Sequence, residues 1–254
     1  MSIATIENIK QLRAQLDAPY QDCVKALNAN QNDIKQATQW LKDQGKAANR
    51  DAQTDAGAIG FHTDELGTTM VVVRCETDFV AINKDFIAMV DQLAKDIHDY
   101  KTNAGDGFRE SVWTFKEAIK IGDSFSEYVG DGTSVASYMH HNRSRSAMVR
   151  YTGNNEEAAR KIAMQVCAMR PSCVSVDDVD AVKYTQMMDK ARQEARDAGK
   201  PEAIVDKIAE GKVKSVLKEF VLLEQPMFDD AKSSVGQFAD KHGIRVISFT
   251  YVTL

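Results

Sequence analysis

The chain has 254 residues, of which 43% are hydrophobic and 27% are charged, a composition typical of an ordinary globular protein. This length is sufficient for one large domain, or for two to three small ones, with a hydrophobic core. The net charge of −5 gives the chain no overall attraction to nucleic acid, although a local basic patch is still allowed. A protein that binds phosphate backbones is therefore disfavoured.

The N-terminus and the cysteines indicate the compartment. Met1 is followed at once by a polar, helix-like pattern, which resembles neither a signal peptide nor a transit segment. No stretch of about 18 apolar residues occurs, so we predict a cytoplasmic protein without a membrane partner. The four cysteines lie in separate elements and form no Cys-x-x-Cys pair, which indicates neither a zinc site nor a disulfide framework.

Three short helices are predicted within residues 1–45. Apolar residues recur at helical spacing from Ile9 to Leu16, Pro19 opens the second helix, and Asn32 is the predicted cap of the third. Three helices in so few residues resemble a ubiquitin-associated fold. Nothing else in the chain indicates that it binds ubiquitin.

A polar linker and a β-hairpin are predicted next. Residues 46–56 lack an apolar face and have the character of a linker. The runs 58–63 and 68–75 are strand-like, and residues 64–67 between them have the length and chemistry of a hairpin connection.

The hairpin leads into Thr77-Asp78-Phe79-Val80, which places a carboxylate next to a large aromatic side chain in a connection. The surrounding scaffold can aim a side chain outward from such a connection, and Phe79 would then act as a wedge. The alternative is that Phe79 folds inward as the first core residue of the next helix, while Asp78 helps to cap it. Spacing alone favours this inward orientation.

The next helix is predicted to begin after Asn83, a good N-cap, with Asp85 in the first turn, where the helix dipole favours a negative charge. Its apolar residues recur at spacings of three and four and must pack against the hairpin. They are Phe86, Met89, Val90, Leu93, Ala94 and Ile97. Because the cap fixes the helix start, residues 77–80 lie outside it and Phe79 need not belong to the apolar face.

A glycine-rich break at residues 104–107 precedes a shorter predicted helix. Its apolar positions are Val112, Phe115, Ala118 and Ile119. The pair Ile121-Gly122 comes directly afterwards. Taken alone, such a pair is typical of a helix end.

A second sheet is predicted after the strong turn signal Gly130-Asp131-Gly132, with strands near residues 135–140 and 146–151. His140 and His141 are adjacent, so in a strand they point to opposite faces and cannot bind the same metal ion. No third ligand is near in sequence. We therefore predict neither a metal site nor a cofactor.

The order strand pair, helix, strand occurs twice, since a second amphipathic helix spans residues 154–169 and a last strand spans 245–252. The predicted fold class is therefore α+β with a duplicated core. Its N-terminal subdomain comprises residues 57–132, and its C-terminal subdomain comprises residues 133–254.

An antiparallel helical hairpin is predicted as an insertion at residues 177–225. The predicted facing residues are Val179, Val182, Ala191 and Ala195 on one helix, and Ile204, Ile208, Val216 and Phe220 on the other. Each helix would be about 30 Å long. An arm of this length cannot bury its apolar face within itself, although its mixed charges alone favour a solvated arm.

Several segments together resemble the bacterial translation elongation factor EF-Ts family over nearly the whole chain. The segments that carry the resemblance are residues 22–27, 74–86, 120–123, 137–140, 158–171, 199–202, 208–212 and 223–226. The Thr-Asp-Phe-Val element is part of the most recognisable signature of that family.

The resemblance implies a guanine-nucleotide exchange factor that binds the GTPase EF-Tu in its GDP-bound and nucleotide-free states. In the family, the residues matching Asp78 and Phe79 insert between helices of the G domain beside the magnesium and phosphate site, and Thr77 and Val80 flank them. The other partner-binding residues that it implies are Ile121, Gly122, His140, Arg13 and, more weakly, Tyr20. His141 and Gln21 are interpreted as surface residues, and Tyr20 and Gln21 stand where the family usually has methionines.

The resemblance also implies that the N-terminal module packs on the G domain of EF-Tu. The helical hairpin matches a coiled coil that contacts another subunit or EF-Tu, which allows a homodimer or a 2:2 complex. No direct nucleic-acid or membrane partner is implied.

No motif for covalent catalysis is found, neither a Walker-type glycine loop, nor Gly-x-Ser-x-Gly, nor His-Glu-x-x-His. An exchange factor needs none, because it acts by binding one state of its partner better than another. Two alternatives stay open. A scaffold or chaperone-like protein would use the helical module and the arm without the wedge, and an enzyme would need Asp78 or His140 to titrate in a pocket.

Overall fold

The computed structural model describes residues 4–16, 18, 20–48, 53–100, 108, 115 and 117–254. Within these residues the chain forms nine α-helices and two three-stranded antiparallel sheets. The α+β class is therefore confirmed.

Three helices at the N-terminus form the predicted bundle, α1 (Ile6–Leu16), α2 (Tyr20–Ala29) and α3 (Ile34–Ala48). Their shared core comprises Ile9, Leu12, Ala18, Cys23, Ala26, Leu27, Ala37 and Leu41. Pro19, the predicted first residue of α2, lies outside the described residues.

The cap of α3 is Asp33 rather than the predicted Asn32. The Asp33 carboxylate accepts a hydrogen bond from the Gln36 backbone N–H at 2.9 Å, as an N-cap side chain does. Asn32 adopts a left-handed backbone with φ of +65°, and its side chain accepts from the Thr5 backbone N–H instead. The helix continues to Ala48, into the residues predicted as a linker.

The first sheet has the order β1-β2-β3, with β1 (Ala56–Asp64), β2 (Gly67–Cys75) and β3 (Ile119–Tyr128). The predicted hairpin is confirmed, and its register pairs the first residue of β1 with the last residue of β2. Every residue of β2 except Arg74 is buried. This central strand is therefore covered on both faces.

The prediction that Ala118 and Ile119 end a helix is wrong, because Ile119 begins β3 and pairs with Cys75. A buried central strand needs a hydrogen-bonding partner on each edge, and β3 supplies the second one. Phe115 packs against the core as a partly buried residue, whereas Val112 lies outside the described residues. Ile121-Gly122 therefore lies in a strand and not at a helix end.

Two helices follow β2, the single turn α4 (Asp78–Ala81) and the longer α5 (Lys84–His98). The predicted apolar face of α5 is confirmed, and it packs on β1 and β2 through buried residues. They are Phe86, Val90, Leu93 and Ala94, which face Ala58, Val71, Val73 and Cys75.

The second sheet has the order β4-β5-β6, with β4 (Ser134–Met139), β5 (Arg145–Thr152) and β6 (Arg245–Thr253). The predicted turn before it is confirmed, since the Thr133 backbone N–H donates to the Gly130 carbonyl at 2.9 Å. Helix α6 (Glu156–Met169) packs on this sheet. The order strand, strand, helix, strand thus occurs twice, which confirms the predicted duplication of the core.

The helical hairpin consists of α7 (Ala181–Asp197) and α8 (Glu202–Phe220). Its buried seam comprises Met188, Ala191 and Ala195 on α7, and Val205, Ala209, Val213 and Leu217 on α8. The predicted face of α8 is wrong by about one position, since Ile204 and Val216 are exposed, as is Val182 on α7. The prediction that the arm cannot bury its apolar face within itself is also wrong, because small residues in the seam let the two helices approach closely and cover that face.

The two ends of the arm lie side by side, where residues 172–173 pair with residues 220–222; this pairing is called the neck below. The Ser172 backbone N–H donates to the Phe220 carbonyl at 2.7 Å, and the Leu222 N–H donates to the Cys173 carbonyl at 2.9 Å. A parallel bridge joins Cys173 to Val221. After the neck, the chain forms α9 (Val235–Lys241) and returns to the second sheet as β6.

The two halves of the core are joined by an apolar cluster and by two arginines. The cluster comprises Ile59, Met70 and Val72 from the first sheet, and Met148 and Val252 from the second. Arg143 donates from both terminal nitrogens to the Asp91 carboxylate of α5, at 2.6 and 2.7 Å, and also to the Ile59 carbonyl. Arg150 bonds to Glu127 at 2.7 Å.

In the part of the chain that the structure describes, no helix is both long and apolar enough to cross a membrane.

Candidate functional site

The candidate site begins where β2 ends and where the chain is held by a pair of glutamates. The Thr77 backbone N–H and hydroxyl donate to the two carboxylate oxygens of Glu117, at 3.1 and 2.5 Å. In return, the Ala118 N–H donates to the Glu76 carboxylate at 2.6 Å. The two chain segments that meet here are thus fastened to each other by charge-assisted hydrogen bonds.

Two helix caps follow this anchor within a few residues. The Thr77 hydroxyl accepts from the Val80 N–H and starts the single turn α4, and the Asn83 side chain accepts from the Asp85 and Phe86 N–H groups and starts α5. Asn83 is therefore the cap that the sequence predicts. The caps fix the direction of the chain before and after α4.

Residues 76–83, held by these hydrogen bonds and caps, are called the mount below. Phe79 points outward from the mount, and 78% of its surface is exposed. The inward orientation that spacing favours is contradicted. Val80 is the residue of this turn that points inward, and it packs with Ala81 against the core of the first half. The Asp78 carboxylate next to Phe79 is also exposed.

Ile82 is a neighbour that sequence reasoning missed, and 72% of its surface is exposed. It lies three residues after Phe79, the spacing that places two side chains on the same side of a helical turn. That spacing is a signal that could have identified it. The two residues form an exposed apolar pair at the start of α5.

Ile121 and Gly122 lie near the same end of the sheet, on β3, and both are exposed. Ile121 pairs with Val73, but Ser124 pairs with Val71, so that Gly122 and Asp123 together stand opposite Val72. This is a β-bulge, a feature that turns the side chains beside it. The predicted Ile-Gly pair is therefore part of an irregularity in an exposed edge strand.

His140 lies at a different place, in the turn between β4 and β5. Its Nδ1 is 2.7 Å from the Asn142 Oδ1, and its ring lies 4.2 Å from that of His141. The prediction that the two histidines point to opposite faces of a strand is wrong, because β4 ends at Met139. The same turn carries Arg143, which bonds to α5 through Asp91.

The remaining predicted residues lie on the N-terminal bundle. Arg13 is an exposed residue of α1, and Tyr20 and Gln21 are exposed at the start of α2. None of these three side chains belongs to the hydrophobic core of the bundle.

The thiol of Cys75 lies directly beneath the anchor, and its Sγ is 3.2 Å from the Thr77 carbonyl. Burial, together with the negative charges of Glu117 and Glu76, raises the pKa of Cys75 to about 11. A thiol with this pKa stays protonated near neutral pH and is not a nucleophile there. Its role is that of a small apolar residue.

Two clefts in the part of the chain that the structure describes are lined by residues other than Phe79. The larger one, about 310 Å³, is lined by Phe61, Ser137 and Arg160 among others, and a second one of about 210 Å³ lies near Lys161 and His242. Neither is lined by Asp78 or His140. The exposed side chains of Phe79 and Ile82 suit contact with a macromolecule better than capture of a small substrate, which is typically held in a concave pocket.

Known proteins match this chain over almost its full length. The family model described as Elongation factor TS matches residues 76–254, which begin at the anchor. Elongation factor Ts of Ralstonia pickettii is 35% identical over 269 residues, which cover 98% of this chain and 90% of the relative. Elongation factor Ts of Corynebacterium urealyticum is 33% identical over 273 residues, which cover 98% and 97%.

A third relative, Elongation factor Ts of Nitratidesulfovibrio vulgaris, is 32% identical over 250 residues, which cover 92% of this chain and 87% of the relative. These matches place the protein in the class of translation elongation factors. Within that class, the chain belongs to the elongation factor Ts family.

Proposed function

We propose that this chain is a guanine-nucleotide exchange factor for EF-Tu in polypeptide elongation, acting in the cytoplasm. The membership of the family supports the partner and the process. The observation that carries the mechanism is Phe79, a large apolar side chain that is 78% exposed on a capped, hydrogen-bonded mount. Exposing such a side chain to water is unfavourable in the free protein, and covering it on a partner recovers that free energy.

The rigid support of Phe79 should also favour binding. Because Glu117 and the two caps hold the chain, the aromatic ring is already presented before binding, and little conformational entropy is lost in the complex. Asp78 is carried on the same turn. We propose that Phe79 inserts into the G domain while Asp78 disturbs the magnesium and phosphate site, with Thr77 and Val80 as supporting residues.

The free energies set the scale of the effect. Each tenfold loss of GDP affinity requires about 1.4 kcal/mol, and burial of one phenylalanine supplies about 1.5–3 kcal/mol. Phe79 alone would therefore account for about one to two decades. By linkage, the factor by which this protein weakens GDP binding is the factor by which GDP weakens its own binding.

Further contacts would hold the distorted state of EF-Tu. We assign this role to Ile121 and Gly122 at the bulge of β3, to His140 in the β4–β5 turn, and to Arg13 and Tyr20 on the bundle. The exposed apolar residues of the arm, among them Val182, Ile204 and Val216, suit contact with EF-Tu or with a second copy of this chain. The latter contact would give a homodimer or a 2:2 complex.

We also propose that the units follow the predicted division into a bundle, a linker and two core subdomains that meet near residue 132, with the bundle extending to the end of α3 at Ala48 instead of residue 45. The bundle and the second half of the core each close their own hydrophobic cluster, which supports this division.

The decisive experiment measures release of a fluorescent GDP analogue from EF-Tu, with this protein at substoichiometric amounts. Catalytic acceleration of release is the expected result. Binding without acceleration would contradict exchange and favour the alternative, a non-catalytic scaffold or chaperone-like binding protein. Turnover of a small substrate without any GTPase would instead indicate an enzyme.

A further inference from the structure

Two imidazoles and one carboxylate converge at the far end of the first sheet. His62 lies on β1, Asp64 is the last residue of β1, and His98 is the last residue of α5. Their three ligand atoms all lie within 4.8 Å of one another. The His98 Nε2 is 3.1 Å from one oxygen of Asp64, and the His62 Nε2 is 3.6 Å from the other.

One of these nitrogens has no hydrogen-bond partner. The His62 Nε2 is a buried atom without a donor or acceptor in range. Leaving a buried polar atom unpaired is unfavourable by about 1–3 kcal/mol, and such atoms are uncommon in folded proteins. An atom bound between this nitrogen and its two neighbours would satisfy it.

The other two ligands are held in place from behind. The His98 side chain is 1% exposed, and its Nδ1 is 3.0 Å from the hydroxyl of Thr69, which in turn is 2.7 Å from that of Ser126. Asp64 accepts from the Leu66 N–H at 2.8 Å. Metal-binding histidines characteristically use the second ring nitrogen in this way, which fixes the ring with Nε2 towards the metal.

The spacing suits a zinc ion. With zinc–ligand bonds of about 2.0–2.1 Å in a tetrahedron, neighbouring ligand atoms are about 3.3 Å apart. Each histidine Nε2 lies at a distance close to this value, 3.1 or 3.6 Å, from the nearer Asp64 oxygen, and the two distances end at different oxygens of that carboxylate. We propose that His62, Asp64 and His98 form a zinc-binding site with water as the fourth ligand, a donor set of imidazole and carboxylate groups that zinc commonly takes.

Such a site would fasten the end of α5 to the β1–β2 hairpin. His62 pairs with Thr69 in the sheet, about 20 Å along β2 from Cys75, the strand residue that precedes the anchor at Thr77. The site is therefore separate from the mount of Phe79. GDP release is not its readout, and its failure would leave the proposed exchange activity untouched.

The test uses the untagged full chain, freed of metal with a chelator that is then removed. Zinc is titrated in competition with a fluorescent zinc indicator, and Co²⁺ absorption reports the coordination geometry. The expected result is one zinc ion per chain and a tetrahedral cobalt spectrum. Asp64→Asn keeps the shape of the side chain and weakens zinc binding by about tenfold or more, and His62→Ala weakens it by about 100-fold or more.

The matched control is His141→Ala, since His141 is exposed and forms the other close histidine pair with His140. It should bind zinc as the parent chain does. Thermal unfolding with and without zinc shows whether each variant folds, and only the variants of the cluster should lose the zinc-dependent rise in Tm. The proposal is overturned if the parent chain does not compete with the indicator, or if His141→Ala loses binding while His62→Ala keeps it.

Discussion

The two halves of the core share one topology but differ at the step from sheet to helix. In the second half, β5 leads through Gly153 and the cap Asn155 directly into α6. In the first half, the anchor at Thr77 and the extra turn α4 stand between β2 and the cap Asn83. The scaffold is thus common to both halves, and the element that exposes Phe79 is an addition to one of them.

The second half carries its own addition at another connection. The arm of α7 and α8 leaves after α6 and returns before α9. In each half, the sheet and its helix therefore supply stability, whereas the inserted segment, α4 or the arm, supplies exposed surface. The predictions below separate these two contributions.

The largest expected effect comes from Phe86→Ala. Phe86 is fully buried between α5 and the first sheet, so its removal leaves a cavity and should lower the free energy of unfolding by about 3–5 kcal/mol. Urea denaturation measures this change. A loss of less than about 1 kcal/mol would mean that the scaffold of the first half does not depend on this packing.

Phe79→Ala is the matched change on the added turn. Because the side chain is exposed, the free energy of unfolding should stay within about 0.5 kcal/mol of the parent value. Stimulated GDP release should fall by about one to two decades while binding to EF-Tu persists.

Leu66→Ala is the control for Phe79→Ala, since Leu66 is 64% exposed at the opposite end of the same hairpin. It should leave both stability and exchange unchanged. If Phe79→Ala reduced binding and exchange in equal measure, the wedge role would be contradicted, because the ring would then serve affinity alone.

Gln165→Leu tests the second half. This buried amide of α6 donates to the Gln225 side chain and to the Pro226 carbonyl, each at 3.1 Å, and accepts from the Phe228 N–H at 2.8 Å. Leucine would leave these groups unpaired, so a loss of about 1–3 kcal/mol in the free energy of unfolding is expected. Gln92→Leu on the exposed side of α5 is the control and should have no comparable effect in urea denaturation.

The smallest effects come from the two equivalent caps. Asn83→Ala and Asn155→Ala should each lower the free energy of unfolding by about 1 kcal/mol, because each removes a hydrogen-bonded N-cap. Only Asn83→Ala should also slow GDP exchange, since Asn83 adjoins the turn that carries Phe79. Equal slowing by both variants, measured at equal concentrations of folded protein, would show that exchange follows stability and not the mount.

Local signals predicted much of this molecule. The cap Asn83 and the apolar face of α5 follow from a few neighbouring residues, and the structure confirms both. Strand β3 was not predicted, because Ala118 and Ile119 continue a helical spacing with Phe115. These residues form a strand because β2 needs a second hydrogen-bonding partner, and local sequence spacing does not reveal that need.

The candidate sites were harder to predict for the same reason. Spacing could not determine the direction of Phe79, because the mount depends on Glu117, which is distant along the chain. His62 and Asp64 do share one face of a strand by their alternation. Their third partner, His98, joins them only when α5 packs on the sheet, so the sequence alone could not bring the three side chains together.

The closely spaced ends of the arm have a consequence for its length. Since the backbone returns at Val221 to the neighbourhood of Cys173, the ends of the inserted segment are already joined by the core. Closing a loop whose ends lie together adds only about 0.6 kcal/mol for each doubling of its length. The arm is therefore a segment whose length could change at a small cost in free energy while the core keeps its shape.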